Sequence, residues 1–107
     1  MSRTIDLVVA GDSAAARAAA AEATRRGQHV LVVLRSPDAR AARRLRRHCR
    51  AGSPEGGLIR VMSAAEVVCV DGIAHVEVVV LRHLRSGRVS AVNASAYQAF
   101  DDPRASP

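Results

Sequence analysis

Residues 5–35, IDLVVAGDSAAARAAAAEATRRGQHVLVVLR, decide the fold of this chain. Residues 5–10 are apolar apart from Asp6, and residues 29–34 (HVLVVL) are apolar after His29. Continuous rather than alternating apolar runs of this length predict strands covered on both faces. Between them lies an alanine-rich segment, residues 14–26, predicted to be a helix. Asp12 or Ser13 is placed to cap its N-terminus, and Gly27 to end it in a left-handed turn. Strand, helix and strand with short joins give a right-handed parallel crossover. Its first turn, Gly11-Asp12-Ser13, leaves the unpaired N–H groups of the helix start facing outward, where they favour an anion.

Working outward, Pro37-Asp38 starts a second helix to about Arg50. Ala42, Leu45 and Cys49 form its narrow apolar stripe, and Arg43, Arg44, Arg46, Arg47 and Arg50 take most of the rest. Gly52-Ser53-Pro54-Glu55-Gly56-Gly57 is a loop. Beyond it residues 58–62 read as a short strand. Residues 65–70 and 73–84 read as two strands joined by Asp71-Gly72, the strongest hairpin signal here. Ser86-Gly87 turns into a third strand at 88–92, and residues 93–100 return to the parallel sheet. Residues 1–100 are expected to be one α/β domain, with 101–107 a flexible polar tail.

Composition narrows the function classes. The 107 residues are 49% hydrophobic, mostly through Ala and Val, and Tyr97 and Phe100 are the only aromatics. The core is therefore expected to be small and branched. Net charge is +6, carried by sixteen arginines and no lysine, seven of them in residues 35–50. Such a cluster invites nucleic acid, an acidic protein or an anionic membrane. Single-strand binders add stacking aromatics, and membrane helices add bulky apolar residues opposite the charge. Neither is available, so a solvated outer helix is the expectation and nucleic acid is disfavoured.

No apolar run approaches the ~20 residues that span a bilayer. Met1-Ser2-Arg3 leads straight into a strand rather than into a signal peptide, so a cytoplasmic protein is expected. Cys49 and Cys69 form no CxxC pair and are expected to be buried apolar groups. His48-Cys49 lacks ligand spacing, His29, His75 and His83 are scattered, and no metal is expected. There is no catalytic triad pattern or redox thiol pair. No self-sufficient active site is expected.

The order of elements, from Ile5 to Phe100, resembles the Rossmann-like nucleotide-binding domains of flavoprotein and pyridine-nucleotide-disulfide oxidoreductases. In that family the first turn reads G-x-G-x-x-G/A, and Gly11-Asp12-Ser13-Ala14-Ala15-Ala16 aligns with it without a gap. Glu22-Ala23-Thr24-Arg25-Arg26-Gly27 resembles the family's helix end, and residues 78–89 (VVVLRHLRSGRV) its last hairpin. Gly11-Asp12-Ser13-Ala14 is also similar to the GDSA stretch of thioredoxin-reductase-like NADPH domains, whose basic motif finds only Arg35 and Arg40 here. There are departures. Ser13 replaces a glycine that lets the pyrophosphate approach, Ala16 the third glycine, and Leu34 the ribose-binding acid. Phe100 stands where a small residue usually passes the cofactor.

The resemblance implies FAD or NADPH on Gly11, Asp12, Ser13, Ala14 and Ala16, with Arg35 and Arg40 on the adenosine side. A guanidinium fork matches a 2′-phosphate, and Leu34 in place of the acid favours NADP over NAD. The chemistry would then come from a partner chain. The competing expectation is a degenerate Rossmann-like module that has lost the nucleotide and assembles with itself or with an enzyme subunit. In that case Asp12 or Ser13 merely caps the helix.

Overall fold

The structure, a computed structural model, describes residues 4–11, 13–51, 58–72 and 75–100. The expectations for residues 1–3, Asp12, the 52–57 loop, residues 73–74 and the 101–107 tail lie outside them. The crossover forms as expected: β1 (Leu7–Ala10), α1 (Ala14–Arg25) and β2 (His29–Val33). Asp6, the polar interruption in the first run, closes the start of the ladder. Its N–H donates to the His29 carbonyl at 2.9 Å and its Oδ2 accepts the His29 N–H at 2.7 Å. Gly27, at φ +81°, carries the left-handed turn that ends α1. There the Gln28 N–H donates to the Ala23 carbonyl and the Gly27 N–H to that of Thr24. These bonds satisfy carbonyls that a helix end otherwise leaves open.

Then follow α2 (Ala39–Ala51), β3 (Leu58–Met62), β4 (Ala65–Asp71), β5 (Val78–His83), β6 (Val89–Asn93) and β7 (Tyr97–Ala99). Asp38 caps α2, its Oδ1 accepting the Arg40 N–H at 2.9 Å. The parallel strands form a four-stranded sheet in the order β3-β2-β1-β7, and β4-β5-β6 form an antiparallel sheet. Only Ser63 and Ala64 separate β3 from β4, and Ala64 takes φ 52°. That left-handed residue turns the chain out of one sheet and into the other within two positions.

The register explains the uninterrupted apolar runs. Leu7, Val9, Val30, Val32, Leu34 and Ile59 bury themselves against Ala16, Ala20, Leu45 and Cys49 of the helices. Val8, Leu31 and Val33 project the other way, onto Ala65, Val79, Leu81 and Ala94. Both helices therefore cover one face and the meander covers the other. The alanines suit the first layer, because a helix without side chains beyond Cβ approaches the sheet closely. Thr24, the one buried polar residue among the described residues, donates its hydroxyl to the Ala20 carbonyl at 2.7 Å.

Three expectations need correction. The hairpin is not closed by a tight Asp71-Gly72 turn: Asp71 pairs with Val78, and residues 72–77 connect them. The loop folds back over Gly72, where a Cβ would lie 1.9 Å from the His75 carbonyl oxygen, and the Glu77 N–H donates to the Asp71 carbonyl. His75 thus falls outside the strand that holds His83. The return segment is regular only at Tyr97–Ala99, with Ala94 making an isolated bridge to Ile5. Finally, Cys49 is buried but Cys69 is exposed. The register slips between Val67 and Cys69 on an edge strand, which leaves the Cys69 thiol uncovered.

Candidate functional site

The candidate site sits where β1 ends and α1 begins. Gly11 takes φ +127° and donates its N–H to the Val33 carbonyl at 3.1 Å. A Cβ at this position would lie 2.5 Å from the Phe100 carbonyl oxygen. The approach is fixed by the Phe100 N–H, which donates to the Ala10 carbonyl at 2.8 Å as β7 leaves the sheet. Gly11 is thus demanded by its own fold, independently of any ligand. Ser13 is the N-cap of α1, its Oγ accepting the Ala16 N–H at 3.2 Å. Ala16 is buried against the sheet, whereas Ala14 is exposed. The Ala14 and Ala15 N–H groups have no acceptor among the described residues, and the first turn carries no acidic side chain. With the helix dipole behind them, they favour an anion.

Beside this turn a cavity of about 440 Å³ runs between the helices. Ala14 and Leu34 lie at its sheet end; Arg17, Arg44, Leu45 and His48 line it further along. Arg35 and Arg40, the arginines expected to serve the site, do not line this cavity. Arg35 donates to Glu66 Oε1 at 3.0 Å, and Arg40 is an exposed residue of the first turn of α2. Sequence reasoning missed Arg17, Arg44 and His48. A signal existed: Arg17 follows Ala14 by three residues, and Arg44 and His48 are four apart, so each pair shares a helix face.

Glu66 is the anchor of a small ionic cluster. Its carboxylate accepts from Arg82 Nε at 2.9 Å and from Arg82 Nη2, and binds Arg35 as well. The Arg82 guanidinium first, and Arg35 second, hold its carboxyl below the usual glutamate range. Cys49 shifts the other way. Burial pushes its thiol up, against a smaller opposing pull from Arg25. Among the described residues, no three of His, Cys, Asp and Glu come together as a metal site would need.

The group implied by the resemblance is a dinucleotide, and the residues fit it in part. The N–H groups of Ala14 and Ala15, without an acceptor among the described residues, suit a pyrophosphate, and Ala14 is exposed. The ribose end lacks its acid, because Leu34 is buried at 2% exposure and offers no acceptor through its side chain.

A scan of protein-family models and a search of curated proteins match nothing. Solved structures do match. Thioredoxin reductase from Streptococcus pyogenes superposes with a TM-score of 0.71 over 94% of this chain, at 20% identity. The enzyme from Giardia duodenalis gives 0.69 over 94%, also at 20% identity. Glycerol-3-phosphate dehydrogenase from Bacillus halodurans, complexed with FAD, gives 0.70 over 94% at 11% identity. This chain covers 32%, 32% and 35% of those chains, about a third of each. The fold is therefore the Rossmann-like α/β fold that these flavoprotein-type oxidoreductases contain as one part of a longer chain.

Proposed function

We propose that this chain is a dinucleotide-binding domain that holds FAD or NADPH and acts with a partner protein carrying the rest of an oxidoreductase reaction. The observation that carries the reading is the start of α1. Two N–H groups without acceptors among the described residues stand at the end of β1, in a fold that matches thioredoxin reductases over 94% of the chain. Ala14, Ala15 and Ser13 would hold the pyrophosphate, and Arg40 or the cavity arginines Arg17 and Arg44 the adenosine side. Arg35 joins them only by leaving Glu66. The dinucleotide would supply hydride chemistry, and the chain itself binds and orients it. In this reading the substrate site belongs to the partner.

The test is a thermal-shift titration with FAD, NADPH, NADH and ADP, alongside the absorption spectrum. A ligand that binds only the folded state stabilises by about 2.7 kcal/mol at a hundred times its Kd. Ala14→Asp sharpens the result. An acid in the first turn suits the helix dipole, so the free protein stays folded while a pyrophosphate is repelled. Gly11→Val is the poorer variant, because the Phe100 carbonyl already excludes a side chain there.

A second reading has its own support. Ser13 Oγ already occupies one N–H of the first turn, Leu34 replaces the acid, and the Phe100 backbone lies against Gly11. These favour an interaction module that has kept the fold and lost the nucleotide. Absence of any shift at millimolar ligand, with concentration-dependent self-association or capture by a partner subunit, selects it.

A further inference from the structure

A further cavity, which shares no lining residue with the first, is lined by residues of β3 and β6, both edge strands. Residues from strands of both sheets, with Arg46 of α2, line a cleft of about 490 Å³. That volume falls within the range of small-molecule sites, roughly 300–1,000 Å³. Ile5, Leu31 and Val92 give it apolar walls, and Asn93 also lines it. Two cations line it. Arg60 stands beside Leu31 in the β2–β3 register and so points to the meander side, and Arg46 reaches it from α2.

Neither guanidinium has a carboxylate partner among the described residues, unlike Arg35 and Arg82. Arg46 is moreover half-buried. A guanidinium withdrawn from water without an anion is at a disadvantage that a bound carboxylate removes. A cleft with apolar walls and two guanidiniums without a carboxylate partner among the described residues is complementary to a compact molecule with one anionic end and one hydrocarbon or aromatic end. We infer that this inter-sheet cleft binds a small amphipathic carboxylate, its anionic group between Arg46 and Arg60 and its apolar body against Ile5, Leu31 and Val92. This site is separate from the proposed dinucleotide site, and neither depends on the other.

Octanoate is the probe, with octanol as its uncharged counterpart, titrated calorimetrically into the full chain. Saturable binding of one octanoate, tighter than octanol, is expected. In the double variant Arg46→Ala/Arg60→Ala octanoate affinity falls about tenfold or more, the loss of one or two charge-assisted hydrogen bonds, and the preference over octanol disappears. Arg43→Ala/Arg47→Ala removes the same charge from exposed positions of α2 and leaves affinity unchanged. Thermal melts check that both variants remain folded. Any of three results overturns the inference: no saturable octanoate binding to the unmodified chain, equal affinity for octanol, or equal losses in the two double variants.

Discussion

Ser13 shows how much one hydroxyl does. It takes the Ala16 N–H at the one point where α1 has neither an acidic side chain in its first turn nor a preceding helical carbonyl. Ser13→Ala is expected to lower stability by about 1 kcal/mol, read as an earlier urea midpoint at unchanged slope. The two thiols separate equally sharply. In the native protein Cys69 is expected to react with a thiol reagent at once, whereas Cys49, fully buried and with its thiol pushed up, reacts only on unfolding. Mass spectrometry after brief labelling checks this. Capping was legible in the sequence because it depends on residues three apart. The exposure of Cys69 was not, since it follows from a register slip against β5. The ion pair of Arg35 was hidden for a similar reason: its partner, Glu66, lies thirty-one residues away.

At the scale of elements, Glu66 ties the exit of β2 to β4 and β5, through Arg35 and Arg82. Its carboxyl titrates below its ordinary range in the folded state, so the unfolded chain takes up a proton first as pH falls. The stabilisation is therefore complete above the ordinary glutamate range and is lost as pH drops through it toward the lowered value. Glu66→Gln is expected to be less stable than the unmodified chain at neutral pH, with the difference closing in acid. Denaturant titrations across that range measure it. The helices and the first two strands were readable because a 3.6-residue or continuous apolar pattern is written locally. The 72–77 connection was not. The Asp-Gly pair promised a two-residue turn, but the path of His75 over Gly72 delays the pairing until Val78.

At the scale of the whole molecule, the parallel sheet is the shared middle layer, with Leu7, Val9, Val30 and Val32 against the helices and Val8, Leu31 and Val33 against the meander. Leu45→Ala strikes the helical layer and Leu81→Ala the meander, and each is expected to cost about 2–5 kcal/mol. Both are expected to shift one common unfolding transition rather than split it, observed by far-ultraviolet dichroism and by calorimetry together. Two separate transitions would show that the layers fold independently. The sequence by itself determined the crossover, the glycine that ends its helix and the presence of an antiparallel segment, because burial pattern and turn chemistry are local properties. Only the tertiary structure decided that both helices share one face, that Gly11 is held against the Phe100 carbonyl, and that Arg17, Arg44 and His48 rather than Arg35 line the cavity beside α1. It alone opened the cleft between β3 and β6. Each of these depends on side chains brought together from distant parts of the chain, and no local pattern encodes which of them meet.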